Sequence, residues 1–195
     1  MATKLSYFPK TVCELIEPAI RSVADRLFIL TGGRDGSKKY KPTVKSFYET
    51  GLVVAIFEFL LMSPRLSKLE IRHEMPHVAK TRPEQTDLWV RPPHGGREHL
   101  IECGDFSPSK LKSDATKMRR LNKKGTNWFL AFFRQLPDSR DPWSKLKQCR
   151  NRKSSLKGLR IELDQGLTGT FKIKLPGETI DFGYSLIRIN RGRLS

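Results

Sequence analysis

The sequence predicts an α/β fold around a mixed sheet, and three observations carry that prediction. Apolar residues recur at helical spacing over residues 11–30 and 43–62. Short runs of β-forming residues fill 68–75, 86–91, 98–106 and 127–133. A basic segment with helix-start signals, 107–125, stands between the third run and the fourth. The central order is therefore helix, strand, strand, strand, helix, strand. At 195 residues the chain is expected to form a single domain, 1–195, with a core at about 43–133, an N-terminal helical segment at 1–42, and a basic helix with a β extension at 134–195.

TVCELIEPAIRSVADRLFIL reads as a helix, or as a helix pair broken at Pro18, because a proline inside a helix removes one backbone hydrogen bond. TGGRDGSKKYKP (31–42) reads as a loop. The next helix runs from Thr43 to Met62 and stops at Ser63-Pro64; beyond Gly51 it is apolar on nearly every side, which predicts burial. KLEIRHEM, TDLWVR and EHLIECGDF read as strands, and PPHGG (92–96) as the turn between the last two. Ser107 with Pro108 has the chemistry of an N-cap followed by a first-turn proline, and Gly125 that of a stop. NWFLAFF is apolar throughout and reads as a central strand. DPWSKLKQCRNRKSSL (141–156) reads as a basic helix. FKIKL and YSLIRIN alternate as strands of a hairpin about Pro176-Gly177.

Charge is the outlier in the composition: 37 Lys and Arg stand against 20 Asp and Glu, a formal net charge of +17. Between Ser107 and Arg160 there are 16 basic residues and three acidic ones, whereas acids gather between Glu49 and Asp105. Such a surface attracts polyanions, of which nucleic acid is the commonest. The bland alternative is a solvated basic face with no dedicated partner. Cys13, Cys103 and Cys149 are scattered, which argues against a disulfide framework or a structural zinc site. GLVVAIFEFLLM is too short to span a bilayer and the N-terminus lacks a secretory apolar core, so a cytoplasmic protein with no membrane partner is expected.

His73-Glu74-Met75-Pro76-His77 fits H-E-x-x-H, the helical zinc-protease pattern. Pro76 would break such a helix at a cost of about 3 kcal/mol or more. In the strand that the flanks favour, the two histidines stand roughly 13 Å apart and cannot share a metal. The match is a decoy.

Asp87 and Glu102 carry more. Each is framed by apolar neighbours, where a carboxylate is costly unless paired or bound to a cation. At the ends of adjacent strands, two carboxylates can share a hard ion such as Mg²⁺. TDLWV, a hairpin and LIECGD, preceded by a Glu-bearing helix and followed by a basic helix and an apolar strand, resemble the PD-(D/E)XK nuclease superfamily over about Thr43 to Phe133. The resemblance implies a restriction-endonuclease-like α-β-β-β-α-β core, with N-terminal helices and a C-terminal β hairpin added. It implies Asp87, Glu102 and the backbone carbonyl of Cys103 as ligands of Mg²⁺ or Mn²⁺, joined by a helical glutamate. Glu49 is the first choice for that glutamate and Glu58 the alternate, while Glu74 falls on a strand that some members also use.

The chain departs from the family pattern at Gly104, which stands where the motif has lysine. Either Lys110 or Lys112, at the start of the following helix, supplies the missing cation, or the scaffold binds nucleic acid without chemistry. The first expectation is a metal-dependent endonuclease acting on nucleic acid, DNA favoured over RNA. The second is a catalytically inactive nucleic-acid-binding or accessory protein. Lys117, Arg119, Arg120, Lys123, Lys124, Lys145, Lys147, Arg150, Arg152 and Lys153 are the candidate backbone contacts. A homodimer or a larger protein complex is left open. Structural roles for the two acids are also open: Asp87 bonded to backbone amides, Glu102 paired with Arg91 or Arg97.

Overall fold

A computed structural model describes residues 7–30, 47–76, 85–93, 96–122, 124–134, 141–151, 160–175 and 178–190. Among the described residues, seven strands form one sheet, sandwiched between two helical layers. The elements in chain order are α1 (Phe8–Leu30), α2 (Glu49–Met62), β1 (Glu70–Pro76), β2 (Gln85–Arg91), β3 (His99–Asp105), α3 (Pro108–Leu121), β4 (Thr126–Phe133), α4 (Pro142–Asn151), β5 (Ile161–Glu162), β6 (Thr168–Leu175) and β7 (Glu178–Ile189). The strands run β1-β2-β3-β4-β7-β5, and β6 pairs with the first part of β7. Only β3 and β4 run parallel, joined by the crossover helix α3; every other pairing is antiparallel. The sheet is thus mixed and mostly antiparallel.

Alternation along the strands divides the interior. Ile101 and Cys103 of β3, Leu88 and Val90 of β2, and Trp128, Leu130 and Phe132 of β4 pack with α1, α2 and β6. Leu100, Trp89, Phe129, Ala131 and Phe133 face the other way, onto α3 and α4. Both Trp89 and Trp128 are buried. α1 and α2 pack side by side, with an Arg26–Glu58 ion pair between them, and Arg65, on the 3-10 turn after α2, pairs with Glu14 of α1.

Several boundaries differ from expectation. α1 passes through Pro18 without a break. Pro18 lies on the exposed face, so the carbonyl it leaves without a backbone partner reaches water, while Ile16, Ala19 and Ile20 stay buried opposite. α2 begins at Glu49, six residues after the expected Thr43, and its end is wetter than its composition suggests, with Leu61 and Met62 exposed. β5 was not expected. The 31–42 loop, His77 and the Pro176-Gly177 turn lie outside the described residues. His73 and Glu74 are on β1, as the decoy reading of H-E-x-x-H requires.

The start of α3 follows its sequence signals. Ser107 is extended, its Oγ accepts from the Lys110 N–H at 3.1 Å, and Pro108 fills the first turn. The helix ends at Leu121, and Asn122 Oδ1 accepts from the Gly125 N–H at 2.7 Å. Among the described residues, no helix is long and apolar enough to cross a membrane.

Candidate active site

The antiparallel register of β2 and β3 pairs Leu88 with Ile101 and Trp89 with Leu100. One step further, Asp87 stands opposite Glu102, and both side chains leave the sheet on the α3 side. The Cys103 N–H donates to Asp87 Oδ2 at 2.7 Å. Glu102 is 3% exposed, deep enough that its charge needs compensation. Lys117 Nζ of α3 lies 2.7 Å from Glu102 Oε1 and donates to the Gln85 carbonyl at 3.0 Å. The approach to Glu102 has the distance of an ion pair without the alignment of a hydrogen bond, so Oε1 is a buried oxygen with no hydrogen-bond partner.

α2 and α3 bring the rest. Glu49 opens α2, where a negative side chain suits the positive end of the helix. Its Oε1 accepts from Lys110 Nζ at 3.1 Å and its Oε2 from the Asp105 N–H at 3.3 Å. Lys110 Nζ also lies 3.6 Å from Asp114 Oδ2, a second buried oxygen with no hydrogen-bond partner. Glycine at 104 is what makes this possible. A Cβ on Gly104 would sit 2.7 Å from Glu49 Oε2 and 2.8 Å from Lys110 Nζ, and would overlap Lys110 Cε. The stem of Lys110 therefore fills the space in which a residue at 104 would begin its own side chain.

The electrostatics follow from burial and crowding. Loss of solvation, with Asp87 close by, pushes the Glu102 carboxyl up to about 8, against the opposing pull of Lys117. Asp87 is raised, again chiefly by burial, although the Cys103 amide and the Lys117 and Lys110 ammoniums oppose it. Burial raises Asp114 as well. For Lys110, burial acts to lower the pKa, but Glu49 and Asp114 outweigh it, and the ammonium is held above its ordinary value. The side chains of Lys110 and Glu49 are 33% and 40% exposed, so the cluster opens to solvent on their side.

The structure brings together Glu49, Asp87, Glu102 and Lys110 of the sequence-predicted residues, with Cys103 contributing through its backbone. It does not bring in Glu58, which pairs with Arg26 on the surface, nor Lys112, which lies exposed on the outer side of α3. Glu102 pairs with neither Arg91 nor Arg97: Arg91 pairs with Glu70, and Lys117 takes the place beside Glu102. The amide-bonded role of Asp87 is present in the Cys103 contact. Sequence reasoning missed Asp114 and treated Lys117 only as a backbone contact. Their spacing from Lys110, four and seven residues along one helix, is the signal that would have found them.

Of the other predicted cations, Arg119 and Arg120 lie on α3 and Lys124 is exposed just beyond it. Lys145 and Lys147 rest over the rings of Phe133 and Trp143. Lys123, Arg152, Lys153 and the side chain of Arg150 lie outside the described residues. Among the described residues, no group of three or more His, Cys, Asp and Glu side chains forms a metal cage. Comparison of the chain with protein-family models, curated proteins and solved structures found no match.

Proposed function

We propose that the chain is a metal-dependent nuclease of the PD-(D/E)XK type, hydrolysing phosphodiester bonds in nucleic acid, with DNA as the first substrate to test. One observation carries the reading: the Lys110 ammonium occupies the space over Gly104, where the family pattern has a lysine side chain, within reach of Glu49. The cation that the sequence lacks on the strand comes from the helix instead. The element order from α2 to β4 agrees with the expected core.

The acids suit a hard divalent ion. Asp87 and Glu102 stand opposite each other, both raised by burial, and a cation, the Lys117 ammonium, already stands 2.7 Å from Glu102 Oε1. Asp87, Glu102 and the Cys103 carbonyl would hold it, consistent with the habit of Mg²⁺ of taking one or two carboxylates and keeping several waters. When bound, Mg²⁺ or Mn²⁺ supplies Lewis acidity toward a phosphoryl oxygen. The chain's own residues do the rest. Lys110 presents a fixed positive charge where negative charge grows on the phosphate. Glu49 and Asp114 position that ammonium from two sides. Lys117 balances Glu102.

The test uses supercoiled plasmid and a labelled oligonucleotide with Mg²⁺ or Mn²⁺. Asp87→Ala, Glu102→Ala and Lys110→Ala should each slow cleavage by about a hundredfold or more, the scale of losing one preorganised charge contact. Gly104→Ala should slow it by about tenfold, by displacing Lys110. Unchanged cleavage in both carboxylate variants ends the catalytic reading. A binder without chemistry is favoured by a different observation: Glu49 and Glu102 already have lysine partners, so the acids are compensated without a metal. That protein would bind oligonucleotide equally well in chelator and give no product.

A further inference from the structure

We infer that the outer face of α3 is the track on which a nucleic-acid phosphate backbone lies. This rests on the nucleic-acid half of the proposal above and assigns it a surface. Two rows at four-residue spacing run along the helix, Ser109–Ser113–Lys117 and Lys112–Thr116–Arg120, and between them lies an open groove of about 580 Å³. Its lining is three cations and three hydroxyls with no acidic residue.

Two other clefts differ. One balances Lys10 and Arg188 against Glu162 and Asp164. The other has Arg65 paired with Glu14 at 2.6 Å. Of these three, the α3 groove is the one lined by cations and hydroxyls without an acidic residue, in a chain whose excess is +17. Hydroxyls beside lysine and arginine are the donor set that backbone phosphates take. From Lys112 to Arg120 the helix advances about 12 Å, room for roughly three phosphates of one strand at about 3.4 Å each along the axis.

Lys117 ties the groove to the acidic cluster. It lines the groove and also holds Glu102 at 2.7 Å, so a backbone seated there passes one side chain away from the paired carboxylates. α4 is a poorer track, because Lys145 and Lys147 are drawn onto aromatic rings.

The experiment is fluorescence anisotropy of a fluorescein-labelled oligonucleotide, single-stranded and duplex, in chelator so that no cleavage occurs. The full chain is compared with Lys112→Gln/Arg120→Gln and with Lys172→Gln/Lys174→Gln, a control that removes the same charge from exposed positions of β6. Thermal melts establish that both variants fold. The α3 variant should bind at least about tenfold more weakly at physiological salt and lose about two from the slope of log K against log salt, one per phosphate contact. The β6 variant should keep the wild-type slope. Equal losses in both variants, or no oligonucleotide binding by the wild-type chain, overturn the assignment. If the α3 variant binds normally while Asp87→Ala abolishes cleavage, the surface falls and the nuclease stands. Lost binding in the α3 variant with no cleavage by the wild-type chain gives the reverse.

Discussion

The two faces of the sheet are built from alternate residues of the same strands, yet they differ in kind. Toward α1 and α2 the strands present Leu88, Val90, Ile101, Cys103, Leu130 and Phe132, and the layer is largely apolar, with buried His99 accepting from the Trp128 Nε1–H at 3.1 Å. Toward α3 the same strands present Asp87, Glu102 and Gly104 beside Trp89, Leu100 and Phe129, and a cluster of carboxylates and ammoniums interrupts the apolar layer. One face can therefore supply stability while the other tolerates buried charge, because the period of two in a strand keeps the sets apart. β3 shows the division residue by residue: Ile101 and Cys103 point to the first layer, Leu100 and Glu102 to the second.

The contrast can be broken from either side. The largest effect is expected on the apolar face. Phe182, fully buried against Phe132 and Phe171, should cost about 3–5 kcal/mol as Phe182→Ala, read from urea denaturation. A loss under about 1 kcal/mol would show that this layer does not dominate stability.

On the charged face, the test is pH. Glu102 has a folded-state pKa near 8, above its ordinary 4.5, so between those values the native chain holds a proton that the unfolded chain has released. Its contribution to stability is present below about 4.5 and is lost as pH rises toward 8. Wild-type protein should therefore lose stability from pH 5 to pH 8 relative to Glu102→Gln, by an amount on the order of a few kcal/mol at most, given partial solvation of the cluster. Parallel stability–pH curves for the two proteins would remove the distinction between the faces. The smallest effect sits where α3 begins. Ser107→Ala removes the cap on Lys110 N and should cost about 1 kcal/mol in thermal or urea melts. No change would show that α3 is held by its buried face alone.

Much of the fold was legible because periodicity and capping are local. The Ser107-Pro108 start of α3, the apolar β4 and the alternating C-terminal strands follow from neighbouring residues alone. Strand partnership is a long-range property that no local period encodes. The place of β7 beside β4, and the two-residue β5, were accordingly not read. Pro18 left one helix or a broken pair open, because its cost depends on which side of the helix it occupies, and on α1 it occupies the exposed side.

For the site, Asp87 and Glu102 stood out as acids among apolar neighbours, and Glu49 and Lys110 as candidates within the family pattern. The choice of Glu49 over Glu58, and of Lys110 over Lys112, depends on the direction in which each helix leaves the sheet. That direction is set by tertiary packing. Gly104 looked like a loss in the sequence. In three dimensions it is the opening through which Lys110 reaches Glu49.

That opening has a mechanical side. A lysine borne on the same strand as its acidic partner is fixed relative to it by covalent geometry. Here the Lys110 ammonium rides on α3 while its partner Glu49 opens α2, so the distance between them is set by how α3 seats against Phe129 and Leu100 and how α2 seats on the sheet. A slide of α3 along the sheet would retune the charge pair without altering a single one of its members.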